Sequence, residues 1–124
     1  MKKYRLKRFN EILKHEISDL MLKELKDPRI KGIITVTDVE VAQDAKSAKV
    51  YLSIFGVSDE EAKKVLDGFR SAEHFIKHKL LKNLRLRYAP DLIFIKDDSI
   101  ERGSRIVDKL TKLKENNENG VDND

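Results

Sequence analysis

Three stretches rich in β-branched residues define the sheet that this 124-residue chain can build. The first, residues 33–41, is followed by a turn at residues 43–46 and then by residues 48–55, where apolar and polar side chains alternate. The short turn predicts a β-hairpin, and a slip in apolar phase between Val36 and Val39 predicts a bulge in its first strand. A third strand is predicted at residues 91–96, directly after Pro90.

The segments before and between these strands carry apolar residues at spacings of three or four, which is typical of helices. A first helix is expected to end at Asp27-Pro28, because proline disfavours helix in the residue before it. A capping box at residues 58–61 begins a second apolar stripe, which continues to Leu84. Periodicity allows a single helix there, whereas Gly68 and Ser71 weaken its middle, so one helix and two helices both remain open.

The resulting order is α-β-β-α-α-β, an α+β class with a three-stranded sheet. Because helix connects the second strand to the third, these two strands should run parallel, with a right-handed crossover. Helices are expected on one face of the sheet, with the other face partly open. A last helix is predicted after a cap at Asp97, Asp98 and Ser99. We expect one domain at residues 1–113 and a disordered acidic tail at residues 114–124.

The charge of the chain is unevenly distributed. There are 26 Lys and Arg residues against 22 Asp and Glu residues, a net charge of +4. Residues 115–124 hold four of the acids and no base, so residues 1–114 carry 26 basic against 18 acidic side chains, or +8. A basic body with an acidic tail favours a polyanionic partner, with nucleic acid first. A merely solvated surface is the competing interpretation.

Several classes of site are disfavoured by the residues present. The chain has no cysteine, which excludes disulfides, thiolate nucleophiles and cysteine-ligated metals. His74 and His78 are four residues apart on a predicted helix, but neither a cysteine nor a third neighbouring histidine supports a metal site, so surface histidines are favoured. The carboxylates of Asp97, Asp98 and Glu101 are better explained by helix capping. We therefore expect no catalytic residues, no metal, no cofactor and no enzyme activity.

Two features of the sequence indicate where the protein is located: its N-terminal segment and the length of its apolar runs. The basic N-terminus is not followed by the apolar region of a signal peptide, and no apolar run approaches membrane-spanning length. A cytoplasmic protein without a membrane partner is expected.

The candidate RNA-binding residues fall mainly into two basic clusters, one at the start of the first helix and one between Lys77 and Arg87, where no acid intervenes. Cations at this density can neutralise several phosphates and release their counterions. The alternation in residues 84–88 predicts a strand-like edge that presents Arg85 and Arg87 together. The competing interpretation is a solvated helix face with structural ion pairs. The full set of candidates is Lys3, Arg5, Lys7, Arg8, Arg29, Lys77, Lys79, Lys82, Arg85, Arg87, Arg102 and Arg105.

Four motifs resemble the ribosome-binding factor A family. Residues 84–95, with the sequence LRLRYAPDLIFI, are similar to its R-L-R-x-x-P-[ED]-L-x-F segment, and residues 98–106 are similar to its D-x-S-x-E-x-G-x-R-I motif. Residues 27–29 match its D-P-R pattern, and residues 37–41 match its T-x-V-x-[VT] strand. Spacing, order and length agree across residues 4–113.

This resemblance implies a type II KH-like fold and a late assembly factor of the small (30S) ribosomal subunit. Such a factor binds the immature subunit near its decoding region, assists maturation of the 5′ end of the 16S RNA, and is associated with growth in the cold. An assembly GTPase is implied as a further partner, and a monomer is expected. General RNA binding without ribosomal specificity and a protein-interaction domain remain alternatives.

The family also implies a kinked helix pair in place of the KH G-x-x-G loop, with an A-x-G motif at the kink. The residues in this region are Ser71, Ala72, Glu73 and His74, where His74 occupies the position of the family's glycine.

Overall fold

The computed structural model describes residues 3–25 and 28–98. Its elements are α1 (Lys3–Lys23), β1 (Ile33–Val41), β2 (Ser47–Phe55), α2 (Asp59–Ser71), α3 (Glu73–Leu84) and β3 (Asp91–Lys96). The predicted element order and α+β class are confirmed. The predicted last helix, the acidic tail and the candidates Arg102 and Arg105 lie outside the described residues.

The sheet has the order β1-β2-β3. β1 and β2 form the predicted antiparallel hairpin, with Ile33 opposite Phe55, and the register shifts between Val36 and Asp38 at the predicted bulge. β2 and β3 run parallel, as the helical crossover between them requires. The bulge leaves Thr37 between the two registers, and its hydroxyl donates to the Asp97 carboxylate at the end of β3.

The core lies on one face of the sheet, where all three helices bury their apolar stripes. Phe69 of α2 and Phe94 of β3 meet at its centre, with ring centroids 5.4 Å apart. Removal of these side chains from water is the main force that holds the helices on the sheet. The opposite face is partly open, and Ile33, Phe55 and Ile93 are exposed there. Apolar residues of the predicted helices and strands supply the largest fully buried side chains, which are Leu13, Ile17, Val39, Val50, Leu52, Val65, Phe69, Ile76, Leu80 and Phe94.

The second apolar stripe forms two helices that meet at Ala72. This residue ends α2 and begins α3, with φ −87° and ψ −1°. Its amide donates to the carbonyl oxygens of Gly68 and Phe69, so the α-helical hydrogen-bond pattern is tightened at this point. The helix break implied by the resemblance at residues 71–74 is confirmed.

Side chains on either side of this kink bind the outer edge of β3. The Arg70 guanidinium donates to the carbonyl oxygen of Phe94 at 3.4 Å, and the amide of Leu92 donates to the Glu73 carboxylate at 2.9 Å. These bonds satisfy backbone groups that an edge strand otherwise leaves exposed. The kink is therefore anchored to the sheet by residues on both helices.

The first helix is shorter than predicted. α1 ends at Lys23 rather than at Asp27-Pro28. The amides of Glu24 and Leu25 both donate to the carbonyl oxygen of Leu20, at 2.9 and 3.3 Å, so the regular ladder ends there. The predicted boundary was wrong because proline sets a limit on a helix and does not require the helix to reach it.

Candidate nucleic-acid interface

The site is positioned first by the antiparallel packing of α1 and α3. Lys79 Nζ lies 3.5 Å from Glu24 Oε1, and further along α3 the Asn83 side chain donates to Glu16 Oε1 at 2.8 Å. Since α3 advances toward the beginning of α1, the loop after α3 arrives beside the first half of α1.

Two further hydrogen bonds bring the sheet to the same place. The amide of Val41, at the end of β1, donates to Asn10 Oδ1 of α1 at 2.8 Å. The amide of Asp91, at the start of β3, donates to the carbonyl oxygen of Lys46 in the β1–β2 turn at 2.9 Å. The first half of α1, the β1–β2 turn and the loop before β3 therefore surround one space.

This space is a groove of about 860 Å³, which we call the α1 groove. Its floor is mainly apolar, and its charged side chains stand around that floor. The lining residues are Arg5, Arg8, Phe9, Ile12, Asp44, Ala45, Lys46, Leu86, Arg87, Tyr88, Ala89 and Asp91.

The charge of the α1 groove is positive. Four basic residues line it, and none of them forms an ion pair with a carboxylate of the described residues: Arg5, Arg8, Lys46 and Arg87. Of its two acids, Asp91 is paired with Lys77 at 2.6 Å, and Asp44 accepts a hydrogen bond from the Lys46 amide within the turn. Guanidinium groups without an internal partner are well suited to bind phosphate.

The structure thus brings together candidates from both basic clusters of the sequence. Arg5 and Arg8 come from α1, and Arg87 comes from the loop before β3, yet all three line the α1 groove. Lys46, the apolar floor and Tyr88 were not among the predicted site residues. Tyr88 could have been found from its position beside Arg87, because basic and aromatic side chains often alternate at nucleic-acid interfaces.

The predicted strand-like edge at residues 84–88 is wrong. α3 continues to Leu84, and Arg85 adopts a left-handed conformation with φ 52° and ψ 45°. The amide of Leu86 then bonds back to the carbonyl oxygen of Leu81, so these residues close a helix and do not extend a sheet. Arg85 and Arg87 are nevertheless exposed, while Leu84 and Leu86 are half-buried.

Two other candidates are engaged inside the chain. Lys77 Nζ lies 2.6 Å from Asp91 Oδ1, and this hydrogen bond raises the pKa of Lys77. Lys79 pairs with Glu24 and lies 5.6 Å from the centroid of the Phe75 ring. Both side chains therefore match the competing interpretation of structural ion pairs, and their role in RNA binding stays a prediction.

The remaining candidates lie at other positions. Lys82 is exposed near the end of α3, and Lys7 is exposed on the side of α1 that helical phase turns away from Arg5 and Arg8. Arg29 lines a separate hollow of about 270 Å³ with Lys31 and Lys64. Of Lys3, only the backbone in the first turn of α1 belongs to the described part.

The described residues also bear on two other kinds of feature, metal sites and membrane-spanning helices. Within residues 3–25 and 28–98, no group of three or more histidine or acidic side chains is placed to hold a metal ion. His74 and His78 are both exposed. In the same part of the chain, no helix is long and apolar enough to cross a membrane.

The fold and the α1 groove define a small α+β domain of KH-like type, with a basic, apolar-floored cleft at one end of its sheet. Residues 5–110 match the family described as ribosome-binding factor A. This chain belongs to that family.

Relatives match over almost their whole length. The ribosome-binding factor A of Caldanaerobacter subterraneus subsp. tengcongensis is 45% identical over 120 residues, covering 97% of this chain and 96% of that protein. The corresponding protein of Desulfitobacterium hafniense is 48% identical over 118 residues, covering 95% of this chain and 93% of that protein.

Solved structures agree on the fold. The solution NMR structure of a Thermotoga maritima protein, described as a ribosome-binding factor A candidate, is 32% identical with a TM-score of 0.68, covering 78% of this chain and 91% of that one. A homology model of Thermus thermophilus ribosome-binding factor A, fitted into a cryo-electron-microscopy map of its complex with the 30S subunit, is 25% identical with a TM-score of 0.59, covering 72% and 91%.

Proposed function

We propose that this protein is a late maturation factor of the small ribosomal subunit, which it binds while the subunit is still immature. The observation that carries this function is the α1 groove, where Arg5, Arg8 and Arg87 converge from distant segments with no carboxylate partner among the described residues. Family membership, and the 30S complex of the Thermus relative, support the choice of the ribosome as target.

The proposed mechanism is binding without catalysis. Guanidinium groups contact RNA phosphates, and the released counterions contribute much of the affinity. A protein that binds one RNA arrangement better than another shifts the population toward it without any chemical step. In this way the protein assists processing of the 5′ end of 16S RNA by other enzymes, and it acts in the cytoplasm. Misfolded RNA helices persist longer in the cold, so loss of this protein should slow growth most at low temperature.

The test is complementation of a deletion strain by the variant with Arg85→Glu and Arg87→Glu. We expect this variant to fold, because both side chains are exposed. It should not restore cold growth, 16S processing or cosedimentation with small subunits. The matched control is Lys49→Glu with Lys63→Glu, which changes the charge equally at two exposed lysines that line neither the α1 groove nor the hollow at Arg29, and it should restore all three.

Three outcomes would change the conclusion. Full complementation by the double arginine variant would show that these residues do not carry the function. Equal loss in the double lysine control would show that only the total charge matters. If the unmodified protein binds unrelated RNA as tightly as small subunits, general RNA binding replaces the ribosomal role, and binding insensitive to salt would favour a protein partner.

A further inference from the structure

We propose that the α1 groove holds an unpaired base of single-stranded RNA on its apolar floor, while the surrounding arginines hold the adjoining phosphates. This inference rests on the proposed function and adds to it the kind of RNA that the groove accepts. Phosphate binding alone requires only the cations, so the apolar floor needs an explanation of its own.

The floor has the character of a ligand site. Phe9 and Ile12 of α1 and Leu86 of the following loop supply its large apolar side chains, and Ile12 is 40% exposed. The groove volume of about 860 Å³ falls within the range of roughly 300–1,000 Å³ that small-molecule sites occupy. Ligand sites are typically lined mainly by apolar side chains, with a few charged groups placed around them, and the α1 groove has this composition.

Tyr88 supplies an aromatic ring beside this floor. It lines the α1 groove, yet it is 82% exposed, so its ring has little contact with the other described residues. Exposed aromatic rings next to arginines are the usual platform on which single-stranded RNA stacks its bases. Arg87, the preceding residue, is placed to hold the phosphate of the same nucleotide.

Backbone strain at the edge of the groove supports the same conclusion. Two described residues other than glycine have left-handed backbones, Ala45 with φ 61° and Arg85 with φ 52°. Ala45 lines the floor, and Arg85 directly precedes Leu86, which also lines it. Glycine would adopt either conformation at lower cost, and such strain concentrates at ligand sites. At Ala45 the strained residue retains a methyl group on the apolar floor.

The combination of floor and cations selects an unpaired nucleotide over the other polyanions. A base within a double helix keeps both of its faces stacked and cannot reach the floor. An acidic peptide would satisfy the arginines but would place carboxylates over Phe9, Ile12 and Leu86. An unpaired nucleotide presents an apolar base face and a phosphate close together, as the groove requires.

The first experiment measures the affinity of the full-length protein for three fluorescein-labelled RNAs of equal length. They are a single strand, the same strand with abasic nucleotides at its centre, and a blunt-ended duplex in which every base is paired. The intact single strand should bind about tenfold more tightly than either of the others, the size of effect that one stacked base produces. Tyr88→Ala should remove this preference, whereas Tyr88→Phe, which keeps the ring, should retain it.

The matched control for Tyr88→Ala is Leu22→Ala. Leu22 is 85% exposed, close to the exposure of Tyr88, but it lies near the end of α1 and does not line the groove. This variant should bind all three RNAs as the unmodified protein does.

A second measurement observes the floor directly. The methyl resonances of Ile12 should move upfield when the intact single strand binds, because a base stacked over them carries a ring current. The abasic strand should not cause this shift.

The outcomes separate this inference from the proposed function. Equal affinity for intact and abasic strands, or for the fully paired duplex, would overturn base insertion while leaving salt-dependent RNA binding in place. Equal weakening of intact and abasic binding by Tyr88→Ala would overturn stacking on that ring. If no RNA binds in a salt-dependent manner, the proposed function itself fails.

Discussion

Gly32 and Gly56 stand at the open end of the hairpin, before β1 and after β2, and both have left-handed backbones with φ 88° and 82°. Their surroundings differ. A Cβ on Gly32 would lie 2.5 Å from the carbonyl oxygen of Phe55 and 3.0 Å from a methyl carbon of Val57, while a Cβ on Gly56 would have nothing within 4 Å. Both positions therefore need a residue that adopts a left-handed backbone easily. Only Gly32 must also lack a side chain, because the carbonyl oxygen of Phe55 lies too close for a Cβ.

This difference leads to a stability prediction. Gly56→Ala should lower the free energy of unfolding by about 1 kcal/mol, the cost of a side chain in a left-handed conformation. Gly32→Ala should cost clearly more, since the hairpin must also move away from the new methyl group. Urea unfolding of both variants measures the difference, and equal midpoints would show that the close contact is relieved at no cost.

A second prediction concerns Arg85, whose left-handed conformation closes α3. Glycine is the preferred residue at such a position. Arg85→Gly should raise the free energy of unfolding by roughly 0.5–1 kcal/mol while weakening RNA binding. Arg85→Lys is the control that keeps both the charge and the strain. If Arg85→Gly binds RNA with unchanged affinity, the strain has no connection with binding at this residue.

At the scale of elements, the capping box at the start of α2 gives a pH dependence. The Ser58 amide and hydroxyl donate to the Glu61 carboxylate at 3.3 and 3.1 Å, and these bonds lower the pKa of Glu61 from its ordinary value of 4.5. A lowered pKa contributes stability that is present above the unfolded value and is lost as the pH falls through the folded value.

Ser58→Ala should therefore lower the urea midpoint of unfolding at neutral pH. The effect should become smaller as the pH falls below the ordinary pKa of a glutamate side chain. The measurement is a series of urea titrations of the variant and the unmodified protein across this range. A difference that stays constant with pH would mean that the ionised Glu61 does not take part in the cap.

The junction of α2 and α3 gives a second prediction at this scale. Glu73→Ala removes the acceptor for the Leu92 amide at the edge of β3 and should cost about 1–2 kcal/mol of unfolding free energy. Glu73→Gln keeps a side-chain oxygen that can accept the same bond, so it should cost clearly less. Chemical denaturation of both variants tests this, and equal losses would assign the effect to the charge of Glu73 rather than to the hydrogen bond.

At the scale of the whole molecule, the affinity for RNA should depend steeply on salt. Each lost phosphate contact should reduce the slope of log affinity against log salt concentration by about one unit or less. Arg8→Gln and Arg87→Gln should each reduce the slope, because both residues line the α1 groove. Lys63→Gln, on the exposed side of α2, should leave it unchanged. If all three variants have the same slope as the unmodified protein, the phosphates bind outside the α1 groove.

Much of the fold could be predicted because its signals are local. Strand alternation, the bulge after Val36 and the capping box at Ser58 each depend on residues a few positions apart. The break at Ala72 was only an open alternative on periodicity, and the family resemblance decided it. The predicted end of α1 was wrong. The helix ends where the amides of Glu24 and Leu25 share the carbonyl oxygen of Leu20, and no residue pattern in the sequence indicates this.

The sequence predicted that the candidate site is basic, but it did not predict which residues line the site. The sequence determined by itself that two clusters of cations exist and that the elements follow the order of a KH-like domain. Only the tertiary structure decided which cations have a carboxylate partner among the described residues: Asp91 of β3 and Glu24, directly after α1, neutralise Lys77 and Lys79, whereas Arg87 reaches the groove beside α1. The physical reason is that ion pairs and clefts form between residues far apart in the chain, where packing and not local pattern sets the distance.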